Sequence, residues 1–162
     1  MNLILIAAIW GIVMMLSGLF FRSKQSPVVM AILGSLVLIG GSVADLYEYS
    51  IIHSDFRGLI QYDKFSHIFL LIISIALFFY LWLTAKEVVK VGAHPAEYFA
   101  LIFFVMAGAG LVTLFNNLLI LFLGIEILSI PLFILTGSDK RNLKSNEAAL
   151  KYFLMGAFSA GI

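Results

Sequence analysis

Five uninterrupted apolar blocks decide what this chain can fold into. Leu3 to Phe21, Val28 to Ala44, Ile68 to Ala85, Tyr98 to Phe115 and Leu118 to Leu135 each run for 17 to 19 residues. A hydrocarbon core about 30 Å thick is crossed by about 20 helical residues rising 1.5 Å each. Each block therefore reads as one transmembrane helix. A sixth begins near Ala148 and is still apolar at Ile162. Within the blocks the apolar residues run continuously, whereas barrel strands would alternate between lipid and lumen faces. The fold class expected is all-α: a polytopic transmembrane helix bundle of about five full spans plus the start of a sixth. Composition agrees, with 62% hydrophobic residues, 12% charged and a mean hydropathy of +1.09. A soluble domain of this size has no means of burying that much apolar surface.

The first block is read as a span and not as a cleaved leader. No basic residue precedes it, it exceeds the usual length of a leader's apolar region, and Arg22 and Lys24 follow it. Basic residues then orient the bundle. With the N-terminus outside, the inner connections hold Arg22, Lys24, Lys86, Lys90, Lys140, Arg141 and Lys144, seven in all, against Arg57 and Lys64 on the outer side. The longest outer connection, Asp45 to Ser66, also holds Glu48, Asp55, Gly58 and Asp63, and is expected to form a surface turn or a short strand pair.

Several chemistries are excluded. There is no cysteine, so disulfides, thiolate-held iron-sulfur clusters and thiol catalysis are absent from this sequence. His53, His67 and His94 are scattered, with no spacing that would hold a metal. No phosphate-binding loop, nucleophile elbow or dinucleotide fingerprint is present. Gly40 and Gly41 lie within an apolar span, as do Ala107, Gly108, Ala109 and Gly110, and Gly156 pairs with Ala160; all are read as helix-packing positions. Asn116 and Asn117 supply a tight turn that makes the fourth and fifth spans antiparallel neighbours.

The candidate site lies in the fifth span. Glu126 sits at the centre of LLILFLGIEILSIPLFIL, with no charged residue within eight positions on either side. A carboxylate at the bilayer centre costs on the order of 2.5 to 3.5 kcal/mol by insertion scales, so its retention points to proton handling. The bland alternative is a protonated glutamate acting as packing glue. Counted from Leu135, Glu126 is about 13 Å deep. Pro131 has no N–H to give to the carbonyl of Ile127 and should bend or loosen the helix beside the carboxylate, and Ser129 is placed to reach the backbone or Glu126. Lys151 is a second, weaker candidate. Ser145 or Asn146 is expected to cap the sixth helix, with Glu147 in its first turn and Lys151 four residues on. That spacing fits a surface pair as well as a proton path about 8 Å inside the cap.

Four stretches carry a family resemblance: Glu97-Tyr98-Phe99, the Asn117-Leu118-Leu119 turn, Gly124-Ile125-Glu126-Ile127-Leu128-Ser129-Ile130-Pro131, and Glu147-Ala148-Ala149-Leu150-Lys151-Tyr152-Phe153-Leu154-Met155-Gly156. Over Glu97 to Gly161 the chain closely resembles the subunit N family, antiporter-like membrane subunits of bacterial NADH-quinone oxidoreductase (respiratory complex I). Residues 1 to 96 resemble it in span count and hydropathy alone. The resemblance implies a proton-translocating subunit of the bacterial inner (plasma) membrane, working with other membrane-arm subunits and the lipid bilayer, and with no nucleic acid. NADH, FMN, iron-sulfur clusters and quinone would be bound by other subunits, so no cofactor is expected in this chain. Glu126 matches the family's fifth-helix glutamate, and Lys151 a lysine near the start of its sixth helix. Residues 1–97 correspond to variable leading helices and 98–162 to the start of the translocating repeat, within one transmembrane domain. Family members carry about fourteen spans built on inverted repeats. Later helices, with their central lysines, lie beyond this sequence, which is expected to be a fragment, a defective polypeptide, or one that works with a separate completing partner. A related cation/proton antiporter subunit and a non-conducting scaffold are the competing readings.

Overall fold

The computed structural model describes residues 2–20, 25–47, 58–61, 63–88 and 94–161. Six α-helices account for most of them: α1 (Asn2–Phe20), α2 (Ser26–Leu46), α3 (Lys64–Val88), α4 (Pro95–Thr113), α5 (Leu118–Thr136) and α6 (Leu143–Ala160). The first five are long and apolar enough to cross a membrane. This is a multi-pass membrane protein. Arg22, Lys24, Glu48, His53, Asp55, Arg57 and Lys90, together with the side chain of Lys86, lie outside the described residues.

The chain order is not the packing order. Helix α4 is the axis of the bundle, with α1 and α5 against it along much of their lengths; α2 joins α1 to α3, and α6 touches α5. Half of α4 is buried (50%) but only 11% of α5. On α4, Phe99, Ala100, Phe103, Met106 and Ala107 close the core against Leu3, Ala7 and Met14 of α1. The exposed apolar side chains of α1, α3 and α5 suit lipid, in which a Leu or Phe needs no cover.

Helix ends follow capping chemistry. Pro95 opens α4 with Glu97 in its first turn, where the missing N–H costs nothing and the carboxylate faces the positive helix end. The Asn117 side chain accepts from the N–H of Leu119 (3.0 Å) and begins α5. The expected turn at Asn116 and Asn117 is thus present, and α4 and α5 are antiparallel neighbours. Helix α6 differs from expectation. Asn142 caps it, accepting from the N–H of Lys144 (3.0 Å), so it starts ahead of Ser145 and Asn146 and Glu147 falls beyond the first turn.

One further correction concerns the connection from Asp45 to Ser66, of which residues 48–57 and 62 lie outside the described residues and Gly58 and Leu59 form a turn. Helix α2 runs past Ala44, so Asp45 is a buried helical residue whose Oδ1 and Oδ2 accept from the backbone N–H groups of Asn2 and Leu3, each at 3.3 Å. A carboxylate is unfavourable at the C-terminal end of its own helix and favourable at an N-terminus. Antiparallel packing lets α1 supply that second setting. The far end of the connection does form a strand-like contact, but with another segment: Ile60 makes an antiparallel bridge to Phe115. The N–H of Gln61 donates to the Leu114 carbonyl (2.9 Å) and that of Asn116 to the Leu59 carbonyl (3.1 Å).

Hydroxyls inside the spans are satisfied by their own helices. Ser17, Ser35, Ser42 and Ser74 donate to the carbonyls of Met14, Ile32, Ile39 and Leu70 at 2.7 to 2.8 Å. An unpaired hydroxyl would carry the cost of lost hydration into the apolar layer.

Candidate functional site

The site is built on the crossing of α4 and α5. A Cβ added to Gly108 would stand 2.6 Å from the backbone nitrogen of Leu128, and one added to Gly124 would stand 2.9 Å from that of Val112. The two glycines remove side chains on facing helices, and the backbones approach more closely than any Cβ would permit. The packing reading of Gly108 holds, while Gly124 was missed. Its signal was its place two residues before the only carboxylate in the span.

Gly124 and Leu128 face α4, and Glu126 lies between them. At 100° per residue it points about 200° away from either, to the side of α5 not covered by α4. It is partly exposed there. Among the described residues no group lies within hydrogen-bonding distance of its carboxylate. Ser129 does not serve it either, because its Oγ donates to the Ile125 carbonyl at 2.6 Å. Pro131 is buried inside α5, which continues as one helix to Thr136.

Phe133 is seven residues beyond Glu126, nearly two full turns, and so on the same face. It is also where α6 packs: the Phe133 ring meets Tyr152 edge-on at 4.8 Å and Phe153 at 5.9 Å. Nearer the loop, Ser145 Oγ donates to the Thr136 carbonyl at 2.7 Å. Ala149 lies against Gly137, where an added Cβ would stand 3.0 Å from that of Ala149. This register brings α6 level with Glu126 only at its last turn, near Ala160.

Lys151 is not brought to Glu126. It falls two residues after Ala149, hence on the side of α6 turned away from α5, and about 13 Å from the level of Glu126 along the axis. Its Nζ pairs with Glu147 Oε1 at 2.5 Å, the two side chains being 70% and 62% exposed. That is the surface-pair geometry. His67 Nδ1 lies 2.9 Å from the Asp63 carbonyl, and no group of three or more His, Cys, Asp or Glu among the described residues could hold a metal ion.

Fold and site together define a multi-pass helical membrane protein with one acidic group in mid-span. Comparison with known proteins shows what the chain is similar to. Residues 115–162 match the family described as NADH:quinone oxidoreductase/Mrp antiporter, TM. NADH-quinone oxidoreductase subunit N of Flavobacterium psychrophilum is 35% identical over 162 residues, covering 100% of this chain and 35% of the relative. The same subunit of Cytophaga hutchinsonii is 32% identical with the same coverage. Subunit N 1 of Chloroherpeton thalassium reaches 47% identity over 70 residues, 43% of this chain and 15% of the relative. Across its length the chain is similar to subunit N of NADH-quinone oxidoreductases. It spans about a third (35%) of the length of these fuller relatives.

Proposed function

We propose that this chain forms the proton-handling entrance of a membrane subunit of NADH-quinone oxidoreductase, in which electron transfer from NADH to quinone drives proton translocation. The observation that carries this is Glu126: a carboxylate in mid-span, without a bonding partner among the described residues, on the face of α5 that α4 leaves open. A packing-glue glutamate would be engaged by a neighbouring helix. Here it is not. Lys151, on the outer side of α6, is assigned a weaker part, biasing a proton path along that helix through its pair with Glu147. Pro131 loosens α5 beside the carboxylate. Redox cofactors and quinone belong to partner subunits of the membrane and peripheral arms. Residues 1–97 supply the leading helices and 98–162 open the translocating repeat, and α1 packs on α4 across that boundary, so the two parts act as one body.

The test is the company the chain keeps. Affinity-tagged protein, purified in mild detergent from its own cells, is expected to carry NADH-dependent quinone reduction with it. Co-purification of cation/proton antiporter subunits without NADH oxidation would instead favour the antiporter reading, to which the family's description also extends.

Orientation in a bacterial plasma membrane, with the N-terminus outside, follows from the excess of basic residues on the side of Lys140, Arg141 and Lys144. Lys140→Cys is expected to react with an impermeant thiol reagent from the cytoplasmic side alone, and Gln61→Cys from the outside alone. Both positions are exposed. The opposite pattern would invert the bundle.

A further inference from the structure

The face of α5 that carries Glu126 continues into the seam with α6, where side chains of the two helices meet. From the loop inward, the first layer is Gly137 against Ala149, with the Ser145 hydroxyl held by the Thr136 carbonyl. The second is Phe133. Its ring meets Tyr152 at 86° and Phe153 at 83°, both edge-on. Its tip fills the space that a side chain at Gly156 would need, since Phe133 Cζ is the nearest atom to a Cβ built there. In this layer of three aromatic rings over a glycine the Tyr152 hydroxyl is the one side-chain polar group, short of the two or more partners a bound water requires. Above this layer come Ser129, whose hydroxyl is already committed to Ile125, and then Glu126.

We infer that Phe133, seated on Gly156, is a positioning residue that seals the α5–α6 seam beneath Glu126, so that protons reach the carboxylate by a route other than this seam. The inference rests on the proton-handling reading of Glu126 and adds the direction of access. Phe133 touches no proton. It acts by deciding which side water comes from.

The reporter is Ser129→Cys, between the ring and the carboxylate, in the complete subunit assembled in its complex. A permanently charged methanethiosulfonate is applied from the side of the α5–α6 loop, and its addition is read as a mass increase of the subunit. With Phe133 in place the thiol is expected to react at least about tenfold more slowly than in Phe133→Ala, thiol reactivity following exposure. Phe133→Leu, which keeps apolar bulk, should stay slow. Gly156→Ala, which pushes the ring from its notch, is a second opening variant should Phe133→Ala not assemble. Fast labelling with Phe133 intact, or equally slow labelling in every assembled opening variant, overturns the seal. Labelling reads access and not proton transfer, so undiminished pumping by Glu126→Gln would refute the proton reading and leave this measurement standing.

Discussion

Glu126→Gln, introduced into the complete subunit, is expected to leave the complex assembled and to cut NADH-driven proton pumping by about a hundredfold, the lower end of what a positioned proton-transfer group supplies. Glutamine keeps almost the same volume and still donates and accepts hydrogen bonds, so packing is preserved. What it loses is the ability to ionise. Glu126→Asp retains the charge with a shorter reach and should keep partial activity. The readout is a pH-gradient dye in membrane vesicles given NADH, beside a check that the complex is intact. Wild-type pumping by an assembled Gln variant would leave only the scaffold reading.

The second large effect is structural. Gly108→Leu has to push α4 and α5 apart, because the added Cβ alone would stand 2.6 Å from backbone, which cannot swing aside as a side-chain tip can. Overpacking of this kind costs about 1 to 3 kcal/mol and occasionally more. At the upper end that is roughly a hundredfold in the assembled fraction. The amount of subunit recovered in the intact complex should fall accordingly. Gly40→Ala is the control: its Cβ meets nothing within 4 Å, and assembly should match the wild type. Equal recovery of the Leu variant would mean that the α4–α5 crossing is looser than described.

Much of this was open to a reader of the sequence, for a definite reason. In a bilayer every backbone amide must bond within its own helix, so long apolar runs admit few structures. Helix number, the turn at Asn117 and the position of Glu126 follow from that. Boundaries drifted where polar residues continue a helix past its apolar core, as Asp45 continues α2 and Lys64 begins α3. Packing order was hidden, because hydropathy treats every lipid-compatible face alike. Nothing in the spacing says that α1 meets α4. The small residues marked interfaces without naming partners: Gly41 meets Ile6, Gly156 meets Phe133, and Gly40 faces open space. Lys151 was ambiguous because i,i+4 pairing with Glu147 fixes which two side chains meet and not which way that face of α6 turns.

The placement of α4 at the axis has a consequence for how the molecule is made. Ile4 packs against Gly110, a partner synthesised roughly 5 to 20 seconds later at about 5 to 20 residues per second. Through that interval α1 is in the membrane without the helix that will cover its core-facing side, and among the described residues α2 is its main early neighbour. The two bonds that the N–H groups of Asn2 and Leu3 donate to Asp45 are available as soon as α2 has inserted. They tie the two helices at one end while the face lined by Leu3, Ala7 and Met14 waits among lipid. Assembly thus runs from a loosely held pair to a finished core in one late step, the arrival of α4.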